Sequence, residues 1–137
     1  FSYTHNLYRK NIGKICVVLK VKTNSKEVEL EQFGKNLCMH IAATKPLAID
    51  LENLDKKLIE KEKEIQKENI KLSGKPDDIV NKILEGKMRK FYSEVTLFNQ
   101  NYILDNDKIV RDIIDDFSSN KIIFKVISYS LFVLGAE

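Results

Sequence analysis

No apolar run in these 137 residues approaches about 20 residues, so no membrane-spanning helix is expected. Cysteine is scarce, with Cys16 and Cys38 the only two. Two cysteines make no disulfide framework. Each sits in an apolar stretch, Ile15-Cys16-Val17 and Leu37-Cys38-Met39, where a free thiol packs like a small hydrophobe, and a reducing compartment follows. Histidine is as scarce. His5 and His40 with the cysteines would supply zinc ligands by count, but no C-x2-C type of spacing pairs them, so no metal or other cofactor is expected. Only Arg9, Arg89 and Arg111 are arginine among 23 basic residues. That bias toward lysine reads as codon supply and warns against giving every lysine a role. Glycine is missing from the strand-to-helix turn Val21-Lys22-Thr23-Asn24-Ser25, which excludes a phosphate loop there. Gly13 is isolated at the start of a strand and reads as a bulge.

What is present is the composition of a folded domain. Hydrophobic residues make up 43% and charged residues 31%, enough to bury a core and too apolar for disorder. The length fits one domain. The net charge of +3 comes from interleaved signs rather than a segregated basic patch. The densest stretch, residues 55–64, alternates in sign and holds no aromatic ring to stack on a base, so it reads as the solvated face of a helix. The chain opens Phe1-Ser2-Tyr3-Thr4 without methionine or a leader pattern, which reads as a piece of a longer protein.

Residues 12–22 are rich in β-branched side chains and end in alternation, Leu19 and Val21 against Lys20 and Lys22, so a strand is expected. Residues 4–11 hold polar turn formers, which leaves residues 1–4 as its hairpin partner. Asn24 and Glu27 have capping-box spacing, and Leu30, Phe33, Leu37 and Ile41 then mark a helix that ends near Lys45-Pro46. His40, in its last turn, reads as packing or capping. Leu51, Leu54, Leu58, Ile65 and Leu72 form a sparse apolar stripe, and Ser73-Gly74-Lys75-Pro76 interrupts it. A second stripe follows at Ile79, Val80, Ile83, Leu84, Met88, Phe91 and Val95. Two such helices joined by a tight turn must run antiparallel. With so little apolar surface, the pair is expected to bury only itself and project roughly 28 Å as a coiled coil. Residues 96–105 read as a loop, Asp107 as the cap of a short helix carrying Ile109, Val110, Ile113, Ile114 and Phe117, and residues 121–134 as a long strand. Phe124, Val126, Ser128, Ser130 and Phe132 would share one of its faces.

The resulting expectation is α+β: a small antiparallel sheet, helices on one face, and an inserted antiparallel coiled-coil hairpin. Residues 1–50 and 96–137 would form one subdomain and 51–95 the hairpin. Chemistry is sparse. A Cys–His dyad needs an exposed thiol, and the acidic pairs Asp77-Asp78, Asp115-Asp116 and Asp105 with Asp107 sit where capping explains them. No catalytic residue is assigned, so the residues argue for a binding module.

Several motifs, in order, then resemble one family. They are Ser2-Tyr3-Thr4-His5 with Ile12-Gly13, the stretch Met39-His40-Ile41-Ala42-Ala43-Thr44-Lys45-Pro46, Glu60-Lys61-Glu62, Gly74-Lys75-Pro76, Glu85-Gly86-Lys87-Met88-Arg89-Lys90-Phe91, Gln100 with Tyr102-Ile103, and Gly135 closing the last strand. Together they resemble the carboxy-terminal part of elongation factor Ts, the nucleotide exchange factor of the translation GTPase elongation factor Tu. That resemblance implies a three-stranded sheet with an inserted coiled coil, no catalysis, and protein–protein docking that speeds GDP release in the cytoplasm, or in an organelle matrix. It also implies contact roles for Tyr3, His5, Tyr102 and Ile103. Asn101 stands where the family has proline, and the turn after His5 is longer than usual. The family's amino-terminal helical domain and its Thr-Asp-Phe-Val motif have no counterpart here. The rival expectation is an RNA- or ribosome-binding module using the Lys-rich hairpin; a further one is a homodimer through that hairpin.

Overall fold

The computed structural model describes residues 1–10, 12–26, 28–72, 74, 76–118 and 122–136. The chain forms two compact units, Phe1–Lys45 with Asn101–Glu137, and Pro46–Gln100. Among the described residues it is α+β, with four α-helices and a three-stranded antiparallel sheet.

In the first unit β2 (Ile12–Thr23) is the central strand, flanked by β1 (Ser2–Arg9) and β5 (Phe124–Val133). Its alternation is the one expected: Val17 and Leu19 are buried, while Val18, Lys20 and Lys22 are exposed. The turn expected over residues 4–11 is instead mostly strand. Asn6 takes a positive φ of 53°, a conformation asparagine tolerates. The pairing then steps from Leu7↔Gly13 to Arg9↔Ile12, leaving Tyr8 as an extra residue. A bulge thus absorbs the polar residues that looked like a loop; Asn11 lies outside the described residues.

The last strand starts at Phe124, and position 121, where it was expected to start, lies outside the described residues. Its single-faced alternation does not hold either. Pairing steps from Lys20↔Ser128 to Val21↔Val126, so Ile127 is extra. One inserted residue moves every later side chain to the opposite face. Phe124 and Val126 are buried before the bulge. After it, Tyr129, Leu131 and Val133 are half-buried opposite Leu19, Val17 and Ile15, and Phe132 is 62% exposed.

Helix α1 (Val28–Thr44) buries Leu30, Leu37, Cys38 and Ile41. Glu27 of the expected capping box lies outside the described residues, and the Asn24 side chain accepts the Ile123 N–H at 2.7 Å. The helix stops where expected. Lys45 takes φ 48° and donates to the Ile41 carbonyl at 2.9 Å, closing the last turn before Pro46. Gly34 is needed on this helix because a Cβ there would meet the Phe1 ring at 2.3 to 2.5 Å.

Residues 101–109 also differ from expectation. β3 (Asn101–Tyr102) and β4 (Asp105–Ile109) form a two-stranded ribbon, and α4 (Val110–Ser118) begins only at Val110. Ile109 is therefore a strand residue, and Asp107 caps no helix; its N–H bonds Asp105 Oδ1 at 3.3 Å. Four aromatic rings tie the unit together. Phe33 of α1 stacks on Phe117 of α4 at 4.2 Å and 2°, and both meet Phe124 of β5 edge-on, at 4.8 and 5.9 Å. Phe1 lies 6.2 Å from Phe124.

In the second unit α2 (Lys56–Lys71) is capped by Asp55, whose carboxylate accepts the Lys57 N–H at 2.9 Å. Helix α3 (Asp77–Val95) follows Gly74 at φ 66° and Pro76; Ser73 and Lys75 lie outside the described residues. The two helices pack through Ile70, Val80, Leu84 and Met88, with Ile59, Ile83, Phe91 and Tyr92 against them. The α3 stripe matches the sequence reading except at Ile79, which is 46% exposed. The α2 stripe does not: Leu72 is 87% and Ile65 42% exposed. The inward line is Ile59, Glu62, Gln66 and Ile70, with Gln66 donating to Glu62 at 2.7 Å and accepting from Lys87 at 3.1 Å. The segments entering and leaving the pair clasp each other. Leu47 N–H bonds the Val95 carbonyl at 2.8 Å and Leu97 N–H the Ala48 carbonyl at 2.9 Å. Buried Thr96 and Gln100 bond the Tyr92 and Glu94 carbonyls.

Phe124 is 4% exposed and touches three rings. Truncating a buried phenylalanine typically costs about 3–5 kcal/mol. Phe124→Ala is expected to lower stability by that order, read as a fall in urea midpoint with unchanged slope.

Candidate functional site

The four residues singled out in the sequence fall into two pairs. Tyr3 and His5 lie on β1. The sheet register sets Tyr3 opposite Val17 and His5 opposite Ile15, so both project on the face of Val17 and Leu19. Tyr3 is half-buried and His5 exposed, and the Tyr3 hydroxyl lies 3.0 Å from His5 Nδ1. Gly13 permits this arrangement, since a Cβ there would come within 2.6 Å of the His5 carbonyl oxygen.

Tyr102 and Ile103 lie at the closed end of the β3–β4 ribbon. Tyr102 is only 5% exposed and its ring centroid is 5.7 Å from that of His40. Burial raises its phenol pKa. Ile103 is half-buried and the next residue, Leu104, is 54% exposed, so the ribbon ends in an aliphatic tip. Tyr102 holds that tip from within and presents little of itself.

His40 is the residue that the sequence reading undervalued. It is fully buried, and the Ile103 N–H donates to its Nδ1 at 3.3 Å. A signal was available: His40 stands three residues after Leu37 and one before Ile41, on the apolar face of α1. The sequence marks Leu104 only as part of a loop.

The described residues offer little covalent or metal chemistry. No group of three or more His, Cys, Asp or Glu side chains among them is placed to hold a metal ion. Cys38 is buried, and desolvation pushes its thiol up to about 11 from 9.0. Cys16 is half-buried on the opposite face of the sheet. A groove of about 490 Å³ runs along α2 and α3, lined by Ile59, Leu84, Met88 and Tyr92 with Lys63, Glu85 and Arg89 at its rim. Charge is interleaved on the helices but not in the sheet. Its strands carry Arg9, Lys14, Lys20, Lys22 and Lys125 and no acidic residue. No helix among the described residues is long and apolar enough to cross a membrane.

An α+β module that presents an aliphatic tip, with a packed helical pair, is what the fold and site define. Its family follows from comparison with known proteins. The family model described as Elongation factor TS matches residues 1–136, and the chain belongs to the elongation factor Ts family. It is 37% identical to elongation factor Ts of Mesorhizobium japonicum, over 98% of this chain and 44% of that protein. It is 39% identical to that of Rickettsia prowazekii, over 95% of this chain and 44% of that protein. Against the Ehrlichia ruminantium protein it is 35% identical, over 98% and 47%. The chain thus spans less than half the length of these curated relatives.

Because the folded Cys38 thiol holds its proton to about 11, the native state binds more protons than the unfolded chain above pH 9. This contribution to stability is complete below pH 9 and is lost as pH rises from 9 toward 11. Tyr129, pushed up by burial from 10.0 to about 12, extends the same trend. The urea midpoint should fall steadily above pH 9, and a thiol reagent at neutral pH should label Cys16 well before Cys38.

Proposed function

We propose that this chain is the elongation factor Tu-docking part of an elongation factor Ts, a non-enzymatic participant in guanine nucleotide exchange during translation elongation. Family membership and the aliphatic tip at Ile103 support the reading, and the tip is the observation that carries it. An exposed apolar end on an otherwise polar ribbon costs solubility unless a partner covers it. Ile103, His5 and Tyr3 are the contacts, with Tyr102 anchoring the tip beneath its surface. Exchange by such a factor is differential binding. It favours the nucleotide-free GTPase and so lowers the affinity for GDP by the same factor that GDP lowers its own. Residues 1–50 and 96–137 are assigned to docking, including 46–50 and 96–100, which fold within the helical unit. Residues 51–95 form the inserted antiparallel coiled coil, a reading supported by the seam of Ile59, Ile70, Val80, Leu84 and Met88. The setting is the cytoplasm of a bacterium or the matrix of an organelle.

Pull-down with elongation factor Tu, with and without GDP, tests the reading directly. The 137 residues alone are expected to bind weakly, better without GDP, and to accelerate fluorescent-GDP release poorly; full exchange activity would refute that assignment. Ile103→Asp should weaken binding by about tenfold or more, the loss expected when a buried apolar anchor is replaced by a charge. Binding should change little with salt. A steep loss with salt would point instead to phosphate contacts by the Lys-rich helices and an RNA partner. Sedimentation decides whether the helical pair forms a homodimer; a monomer at high concentration removes that possibility.

A further inference from the structure

The β3–β4 ribbon cannot fix its own tip by strand pairing. β3 has two residues and β4 five, and the register breaks between Asn101↔Ile109 and Tyr102↔Asp105. A two-stranded ribbon is marginal even when regular. Something outside the ladder must hold the Ile103 amide, and the structure puts His40 there. Its Nδ1 accepts the Ile103 N–H at 3.3 Å, and its ring packs against Tyr102 at 5.7 Å and 33°. The acceptor is anchored firmly: His40 is 0% exposed, and its neighbours Leu37, Cys38 and Ile41 are at most 1% exposed.

We propose that His40 is the positioning residue of the aliphatic tip: it fixes the Ile103 amide to α1 and thereby sets the direction in which Ile103 and Leu104 face a protein partner. An imidazole that accepts at Nδ1 carries its proton on Nε2. The ring is therefore held in one tautomer by the bond it makes. A side chain of similar bulk without an acceptor would leave the Ile103 N–H without its partner, and the tip would sample other directions before docking. Binding would then weaken, because only a fraction of molecules present the competent tip. The part of this proposal that concerns binding rests on the docking reading above; the part that concerns the tip does not.

Two substitutions separate positioning from packing. Asparagine places Oδ1 close to where His40 carries Nδ1, whereas leucine keeps apolar bulk and removes the acceptor. Amide exchange and affinity for elongation factor Tu are measured on the 137-residue chain. His40→Leu should speed exchange at the Ile103 amide by about tenfold while β2 amides keep their protection. It should weaken binding, and His40→Asn should restore both. Equal Ile103 exchange in all three proteins overturns the proposal, as does a His40→Leu effect spread evenly over β2 and α1. Nitrogen NMR of the unsubstituted protein gives a reading that survives misfolded variants: a neutral His40 ring protonated on Nε2 is expected, and a proton on Nδ1 overturns the proposal. If Ile103→Asp leaves binding unchanged while the exchange pattern holds, the docking reading falls and the positioning role stands.

Discussion

Three phenylalanine rings set the geometry on which the first unit depends. Phe33 of α1 lies more than 80 residues along the chain from Phe117 of α4 and Phe124 of β5. Closing loops of that length costs chain entropy that local propensity cannot offset. Edge-on and offset-stacked rings add about 0.5–1.5 kcal/mol per pair beyond the area they bury. The consequence reaches the candidate site. Helix α4 begins at the residue after β4, so fixing α4 also fixes the base of the ribbon whose end carries Tyr102 and Ile103. The Lys108–Asp116 ion pair, at 2.6 Å, repeats the tie on the surface.

Much of the fold was legible because period and burial agree. β2 alternates, and α1 and α3 keep their apolar residues at three- and four-residue spacing, so each was readable from sequence. Three features were not, each for a physical reason. The bulge at Ile127 shifts the phase of β5, and period-2 reading has no means of seeing an inserted residue. β4 is Asp-Asn-Asp-Lys-Ile, a composition that disfavours strands, and only its pairing with β3 makes it one. In α2 the inward line includes Glu62 and Gln66, so a stripe traced through apolar residues drifts off the true face. The site was less legible still. Ile103 stood out only through resemblance to a family. His40 was visible as a buried-face residue, but its bond to Ile103 joins positions 63 apart.

The polar line on α2 bears on how the helical pair is specified. A wholly apolar seam would tolerate sliding of one helix on the other. The Glu62–Gln66–Lys87 chain of hydrogen bonds favours the observed register. Such polar contacts add little stability at an exposed seam, yet they penalise the alternatives. The same unit leaves its buried polar groups paired: Thr96 and Gln100 both bond main-chain carbonyls where the helices are entered and left.

The two bulges have an effect beyond the placing of side chains. A three-stranded sheet has two edges, and here they are β1 and β5, the strands that carry the extra residues Tyr8 and Ile127. An edge of regular pleat is a template on which a stray strand can polymerise. Each edge of this sheet is interrupted partway along, with Arg9 over the Tyr8 ring beside one break and apolar Ile127 forming the other. The regular strand is the one enclosed on both sides. One inserted residue at each margin thus makes the sheet, with its partly apolar open face, a poorer template for a stray strand.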